Sequence, residues 1–441
     1  MPERASACSR EAWAFSRAQE LWDAFAPLSP YGKDAKEERM VLADRAELER
    51  LYDRTEDLLG FFADATPATA DRLAYHLRRI PRLPFSGPSE ADGLDLVEVF
   101  QVKKFLANYR AVLRLLDPAL RARFGLEFDS MRLAALLDAG GSDPETFFIA
   151  DSYHADLASL RAAIADKDAA LRRARDAAKA AVKLGRGLDF AERDFLVVPH
   201  EKARALLEDA AADAHGAAGV PGAAQAAAPR LSVEAYDGRS CIVRLQDGAA
   251  ALLLAEERDE LVARERELEI EVLATLSRAI ADQAPRLLAY AAALREFDLA
   301  RARAVLALRF GCVRPELGSA ALALEGGRFL PCEGDCARLG LAYTPLDFRL
   351  EEGAAVLFGS NMGGKTVALQ SLLFFQVAAQ AGLFVPAARF ATSVHAALRY
   401  VGDLGAAAAP TMGAMGDIGS RSGGGEPQGG LSGFGFEIRS F

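Results

Sequence analysis

Gly359-Ser-Asn-Met-Gly-Gly-Lys-Thr366 is an octapeptide that satisfies the pattern G-x-x-x-x-G-K-[ST]. Upstream, Ala354 to Phe358 has the composition of a short buried strand. Downstream, Val367 to Ala381 is an unbroken helical run that stops at Gly382. A strand, a glycine-rich loop and a helix in this order form the context of a phosphate-binding loop, so the stretch predicts a P-loop in an α/β domain.

The residue types of this loop are suited to holding a polyphosphate. Glycines let the backbone turn tightly and direct amide N–H groups inward, and the helix N-terminus adds a partial positive charge. Lys365 supplies a full charge to the β- and γ-phosphates, and the Thr366 hydroxyl is a ligand for Mg²⁺. We therefore expect ATP or another purine nucleoside triphosphate, with Mg²⁺, at Gly359, Ser360, Asn361, Met362, Gly363, Gly364, Lys365 and Thr366.

The sequence before the loop is mostly helical in pattern, with a proline- and glycine-rich break at 81–93. A long alanine- and arginine-rich helix is expected from about Tyr153 to Leu184. Ala249 to Phe310 is helical and highly charged, and we expect Pro285 to begin a new helix there. Two long helices joined near Pro285 would form an antiparallel lever or coiled-coil arm, or else part of an ordinary helical bundle.

The segment from Asp189 to Asp247 differs from the helical sequence around it. Gly216 to Pro229 is of low complexity, and two short alternating runs lie on either side of Asp237-Gly238, which is a strong hairpin signal. We therefore predict a small, partly β module inserted at about 189–247.

The octapeptide resembles the nucleotide-binding loop of the MutS family, which typically reads GPNMGGKS. Asn361, Met362 and the double glycine are more specific than the general pattern, and a Gly-x-x-Val-Pro-Ala segment recurs here at 382–387. Ser360 replaces the family's usual proline and Thr366 its serine, and neither change removes a phosphate-binding group. The resemblance extends over about 94–441 and is strongest after Val313.

The resemblance implies further site residues outside the loop. Tyr343 lies in a segment similar to the aromatic-containing segment before the family's ATPase strand, which implies stacking on the base; an ordinary core aromatic is the alternative. Leu431 to Glu437 resembles the family's Ser-Thr-Phe-x-x-Glu segment, which reaches the partner's nucleotide in paired ATPase domains. Ser432 and Glu437 occupy the matching positions and imply a homodimer. The Gly-Arg-His turn of the family is matched at 326–329 without the histidine, so it carries no catalytic expectation.

Together these features predict a mixed α and α/β fold. We expect an N-terminal helical region at 1–93 and, at 94–318, a MutS-like helical core with long lever helices and the β-containing insert. An incomplete P-loop ATPase domain is expected at 319–441. The family's Asp-Glu strand follows the Ser-Phe-Glu segment, whereas this sequence ends four residues after Glu437. We therefore expect a fragment or a truncated product that binds nucleotide without efficient hydrolysis.

Composition restricts the setting and the partners. The formal net charge of −10 lacks the basic excess that a dedicated DNA-binding protein usually shows. Five scattered cysteines favour reduced thiols in a cytoplasm, and no stretch approaches the ~20 apolar residues of a membrane span. Cys332 and Cys336 lack a second pair, so two loop thiols are expected rather than a metal site, and the isolated histidines suggest no chemistry.

One helix carries a basic run, for which a solvated face is a commoner explanation than contact with a phosphate backbone. Its members are Arg172, Arg173, Arg175, Lys179, Lys183 and Arg186.

The MutS resemblance implies an ATP-binding, homodimeric switch with a role in DNA mismatch repair or in binding DNA structures. No segment resembles the family's Phe-x-Glu mismatch-recognition wedge, so the sequence is also similar to shortened members of the family. One alternative is therefore a MutS-like ATPase that reactivates a cobalamin-dependent lysine aminomutase without contacting DNA. A non-hydrolysing regulatory form is the other.

Overall fold

The computed structural model describes residues 6–38, 41–141, 143, 145–191, 193–216, 230–358 and 364–402. The chain divides into two compact units. The first comprises Met1–Pro88, Gln101–Met131 and Gln283–Phe441, and the second comprises Ser89–Phe100 and Arg132–Asp282. The boundaries of these units differ from those of the regions 1–93, 94–318 and 319–441, which remain a sequence-based proposal.

Within the described residues the helices are α1 (Arg10–Ser16), α2 (Gln19–Ala24), α3 (Pro30–Glu37), α4 (Arg45–Asp64), α5 (Pro67–Arg79), α6 (Leu96–Leu115), α7 (Pro118–Arg123), α8 (Met131–Leu137), α9 (Leu157–Arg186), α10 (His200–Gly216), α11 (Ala249–Phe310), α12 (Leu330–Arg338) and α13 (Lys365–Gln380). Short 3₁₀ turns lie at Pro88–Glu90 and Asp151–Tyr153. The strands are β1 (Phe195–Pro199), β2 (Leu231–Ala235), β3 (Ser240–Leu245), β4 (Glu316–Leu317), β5 (Leu322–Gly327), β6 (Leu346–Leu350) and β7 (Arg389–Thr392). The mixture of helices and small sheets agrees with the predicted mixed fold. No helix in the described ranges is both long and apolar enough to cross a bilayer.

Several helices of the first unit begin at capping residues that the sequence supplies. The Ser29 hydroxyl accepts a hydrogen bond from Gly32 N at 3.1 Å, and a carboxylate oxygen of Asp44 accepts one from Glu47 N at 3.1 Å. Thr66 caps α5 in the same way, and prolines occupy the first turns of α3 and α5. These local contacts satisfy N–H groups that a helix cannot pair internally, which fixes where each helix starts.

The first unit contains a four-stranded mixed sheet with the strand order β4-β7-β5-β6. Strand β7 is parallel to β4 and antiparallel to β5, and β6 is antiparallel to β5. The aromatic rings of α13 form the adjacent core: Phe374 contacts Phe329 with ring centroids 5.3 Å apart, and Phe375 contacts Phe390 at 5.8 Å. This packing holds α13 against the sheet through its buried middle and C-terminal turns.

The prediction of a buried strand at 354–358 is wrong. These residues form no strand, and the side chains of Val356 and Phe358 are 85% and 89% exposed. A strand of this kind needs hydrogen-bonding neighbours for its backbone groups and a core for its side chains. No described strand pairs with this segment, so its apolar composition alone does not make it a strand.

The prediction that Pro285 begins a new helix is also wrong, because α11 is one helix of 62 residues with Pro285 inside it. Proline removes one backbone hydrogen bond and disfavours the helix interior. Buried side chains at helical spacing, including Ala284, Leu287 and Leu294, continue past this position. The burial of these side chains offsets the local cost of the proline.

In the second unit, α9 runs antiparallel to residues 249–282 of α11, so the partner of this stretch is α9 and not the residues after Pro285. Four charged pairs show this direction. From the first pair to the last, the residue number in α9 rises from 161 to 175 while that of its partner falls from 265 to 247. The pairs are Arg161–Glu265 at 2.6 Å, Lys167–Glu257, Arg258–Asp168 at 3.0 Å and Arg175–Asp247 at 2.6 Å.

The second unit also contains an antiparallel sheet with the order β1-β3-β2, packed on α10. The hairpin predicted at Asp237-Gly238 is confirmed, since β2 and β3 pair on either side of it. The Asp237 carboxylate accepts hydrogen bonds from the backbone N–H groups of Arg239 and Ser240, both at 2.7 Å. This side-chain turn is the local reason that the chain reverses here.

Candidate nucleotide-binding site

The described structure contains part of the predicted site. Gly364, Lys365, Thr366 and Tyr343 lie within it. The other predicted site residues lie outside the described residues: Gly359, Ser360, Asn361, Met362, Gly363, Ser432 and Glu437.

Gly364 is the N-cap of α13 and has a φ of +73°, in the left-handed region. Glycine adopts this conformation without the steric penalty that a Cβ brings, so the glycine of the motif fits the turn from loop to helix. Lys365 is the first residue of α13 and is half-buried, while Thr366 is exposed. The motif therefore ends where predicted, with its lysine and threonine in the first turn of a helix.

The predicted helix at 367–381 is confirmed, with observed bounds of Lys365–Gln380. Ala381 is the C-cap, and Gly382 follows with a φ of +74°. A left-handed glycine just after the last turn is a common way to end a helix. The N-terminus of α13 carries partial positive charge and first-turn N–H groups that the helix does not pair.

The far end of α13 is held by buried amide side chains that sequence reasoning missed. Gln376 Nε2 donates to Gln380 Oε1 at 2.7 Å and to Ser393 O at 3.0 Å, and the Thr392 hydroxyl donates to Gln376 Oε1 at 2.7 Å. Gln380 Nε2 donates to the backbone oxygens of Leu42 and His395 at 2.7 and 2.8 Å. These bonds join α13 to β7, to the residues after it and to the N-terminal segment.

Two further hydrogen bonds attach the same end of α13 to the N-terminal helices. The Tyr52 hydroxyl in α4 donates to Ala379 O at 2.7 Å, and Leu42 N donates to Gln380 O at 2.7 Å. The C-terminal carbonyls of a helix have no partners within it, and here buried groups supply them. The helix that begins at Lys365 is thus anchored at its opposite end.

Tyr343 lies half-buried against the core of the first unit. Its hydroxyl accepts a hydrogen bond from Phe329 N at 2.8 Å and donates to Gly327 O at 3.4 Å. Burial raises the pKa of this hydroxyl, which therefore stays protonated at neutral pH. The ring is held as a packing element beside α12, and its role as a base-stacking residue stays a prediction.

The other singled-out residues are engaged in ordinary contacts. Arg328 pairs with Glu333 at 2.9 Å and donates to Phe310 O at 3.0 Å. Cys332 lies beside Cys336 on α12, and burial, with Cys336 nearby, raises its pKa to about 11. In the described part of the chain no three His, Cys, Asp or Glu side chains are grouped as metal ligands. In the basic run of α9, Arg175 pairs with Asp247 and Lys183 with Asp189, both at 2.6 Å.

Comparison with known proteins identifies relatives, although no protein-family model matches the chain. The chain is 43% identical over 136 residues to the DNA mismatch repair protein MutS of Paracoccus denitrificans, covering 29% of this chain and 16% of that protein. It is 40% identical over 139 residues to the endonuclease MutS2 of Thermomicrobium roseum, covering 30% and 17%. A MutS 2 mismatch repair protein of Halobacterium salinarum is 33% identical over 140 residues, covering 31% and 16%.

The matches span only about a sixth of the length of these curated relatives. The aligned share of this chain is also limited, at about 30%. Within that share the identity is 33–43%, and the names carried by all three relatives are those of one family. About 30% of this chain is therefore similar to proteins of the MutS family.

Proposed function

We propose that the chain binds ATP with Mg²⁺ at the loop Gly359 to Thr366 and acts as a nucleotide-dependent MutS-family protein. The observation that carries the proposal is the placement of Lys365 and Thr366 in the first turn of α13, directly after the left-handed Gly364. This is the loop-to-helix part of the arrangement that the motif uses for binding phosphate. The similarity to proteins named MutS and MutS2 supports the same assignment.

The proposed chemistry at this site follows from charge and geometry. The N-terminal end of α13 and the Lys365 ammonium attract the β- and γ-phosphates. The Thr366 hydroxyl is exposed and suits one position in the shell of Mg²⁺, which takes oxygen ligands. Buried hydrogen bonds attach the C-terminal end of the same helix to β7 and to the N-terminal segment.

We also propose that the chain forms a homodimer and that it acts on DNA. Ser432 and Glu437 are proposed to contact the nucleotide of a second copy in a homodimer, as the MutS resemblance implies. A role in DNA mismatch repair or in binding DNA structures is proposed from the relatives, two of which are named as mismatch repair proteins.

The nucleotide part is tested by titrating the chain with a fluorescent ATP analogue in the presence of Mg²⁺. Lys365→Ala should weaken binding by at least about 2 kcal/mol, because a charge-assisted contact to phosphate is lost and the phosphate charge is left unpaired. The control is Lys202→Ala, since Lys202 is an exposed lysine on α10, far from the motif in sequence. Unchanged affinity in Lys365→Ala would show that the loop is not the nucleotide site.

The DNA part is tested separately with mismatched, branched and fully paired duplexes in electrophoretic and fluorescence-anisotropy assays. We expect tighter binding to mismatched or branched DNA than to paired DNA, and a change in that affinity when ATP is added. Failure to bind any of these DNAs at low salt would contradict the DNA role. Nucleotide binding with no DNA binding would instead favour a protein client, such as the aminomutase of the alternative hypothesis.

A further inference from the structure

The small β module of the second unit brings a thiol and an imidazole together. Cys241 lies in β3, and His200 is the first residue of α10. The Cys241 Sγ lies 3.1 Å from His200 Nδ1, although the two residues are 41 positions apart. The pairing of Val198 in β1 with Cys241 in β3 determines this approach, since α10 begins directly after β1.

The hydrogen bond made by the other ring nitrogen of His200, Nε2, determines the tautomer of the ring. His200 Nε2 lies 3.1 Å from the backbone oxygen of Asp237. A carbonyl oxygen can only accept, so Nε2 carries the proton and donates it to this bond. The neutral ring then has a bare Nδ1, which accepts the S–H of Cys241.

The orientation of the ring depends on the hairpin turn. The Asp237 carboxylate accepts backbone hydrogen bonds from Arg239 and Ser240, and Tyr236 N donates to Ser240 O at 3.0 Å. His200 N itself donates to Arg239 O at 3.1 Å. The carbonyl that orients the imidazole is thus part of a hydrogen-bonded turn, and the backbone of the histidine is attached to the same turn.

Two features of the site can stabilise negative charge on the sulfur during a reaction. Proton transfer to Nδ1 leaves an imidazolium in direct contact with the sulfur, and an adjacent positive charge stabilises a thiolate. The imidazole belongs to the first residue of the 17-residue helix α10, so the sulfur also lies near the positive end of that helix. Cys241 as a residue is 6% exposed, which admits a small reactant better than a bulky one.

We infer that Cys241 and His200 form a nucleophilic thiol–imidazole pair that is oxidised by small peroxides. His200 Nδ1 takes the thiol proton, and the thiolate sulfur attacks one peroxide oxygen. The S–O bond forms as the O–O bond breaks, and the leaving oxygen takes a proton from the imidazolium. Cysteine becomes a sulfenic acid, losing two electrons, and hydrogen peroxide is reduced to water. This modification site is independent of the proposed nucleotide site.

Other thiols of the chain provide internal standards for this reactivity. Burial raises the pKa of Cys8 to about 11 and that of Cys312 to about 12, so both remain protonated at neutral pH. Both are more exposed than Cys241. A reactivity order determined by exposure alone would place Cys241 last, whereas the thiol–imidazole pair places it ahead of Cys8 and Cys312.

The experiment treats the full chain with hydrogen peroxide at neutral pH and removes the peroxide with catalase. The remaining thiols are then alkylated after unfolding, so that burial does not limit labelling, and each cysteine is quantified by peptide mass spectrometry. We expect Cys241 to lose its thiol at least about tenfold faster than Cys312, and His200→Asn to reduce that rate about tenfold. The control is His154→Asn, a histidine of the same unit that contacts no cysteine in the hydrogen bonds observed.

Oxidation of Cys241 no faster than that of Cys312 in the unmutated chain would overturn the inference. An unchanged rate in a folded His200→Asn variant would overturn it as well. If that variant does not fold, the comparison of Cys241 with Cys312 in the unmutated chain decides the question by itself.

Discussion

Gln380 is fully buried near the end of α13 and uses both of its side-chain polar atoms. Its Oε1 accepts hydrogen bonds from Gln376 Nε2 and from His395 N, and its Nε2 donates to Leu42 O and His395 O. A buried amide with all of these partners is stable, whereas leaving its partners unpaired is costly. At the scale of single residues, this side chain connects α13 to the N-terminal segment and to the residues after β7.

We predict that Gln380→Leu lowers the free energy of unfolding by about 2–4 kcal/mol, because Leu42 O, His395 O and His395 N lose buried partners. Leucine is similar in size, so the loss reports hydrogen bonding more than a cavity. Urea unfolding followed by circular dichroism measures the change. The matched control is Gln246→Leu at an exposed position, which should shift stability by less than about 0.5 kcal/mol. Equal effects of the two substitutions would contradict the assigned role of Gln380.

The residues of the candidate site were predicted from the sequence to different extents. The left-handed Gly364 and the helical position of Lys365 follow from the motif, since both are properties of the local chain. The amide network could not be predicted, because Gln376 and Gln380 bond to residues as distant as Leu42. Their only signal is a pair of amides four residues apart in an otherwise apolar helix.

At the scale of elements, α11 shows how burial overrides a local break. Pro285 is exposed, while Ala284 and Leu287 beside it are fully buried. Local propensity predicts a helix end at the proline, but the apolar stripe continues at helical spacing. The helix therefore contains an interior proline that contributes nothing to the core.

We predict that Pro285→Ala raises the free energy of unfolding by about 1–3 kcal/mol, because alanine restores the missing backbone hydrogen bond and has the highest helix propensity. No packing is lost, since the proline ring is exposed. Thermal and urea denaturation measure the change. The control is Arg286→Ala at the next exposed position, for which we expect a change within about 0.5 kcal/mol. A loss of stability in Pro285→Ala would show that the proline matches a bend required by the helix.

At the scale of the whole molecule, the charge distribution bears on the proposed DNA role. The net charge is −10, and several arginines are engaged by carboxylates of the chain itself. Arg314 contacts Glu49, Asp53 and Glu56, and Arg161 contacts Asp151 and two glutamates of α11. The surface cations available to DNA phosphates are correspondingly fewer than the count of basic residues suggests.

We therefore predict DNA binding that depends steeply on salt and is detectable only at low ionic strength. A contact with about three phosphates should weaken roughly 40-fold between about 50 and 200 mM monovalent salt. Fluorescence anisotropy with a mismatched duplex across a salt series measures the slope. Nucleotide affinity measured over the same series is the reference, because it involves a single polyphosphate. Salt-independent DNA binding would contradict an electrostatic contact of this kind.

The sequence by itself determined the features that depend on neighbours in the chain. Helical spacing predicts the glycine-bounded helix α13, and turn chemistry predicts the hairpin at Asp237. The loop motif carries the MutS family resemblance. Each of these signals acts over a few residues. The tertiary structure decided what depends on distant partners. Burial and pairing between remote segments explain three features: the continuity of α11 through Pro285, the lack of a strand at 354–358 and the contact of Cys241 with His200. The free energies of these contacts depend on residues far apart in the chain, so a local pattern does not reveal them.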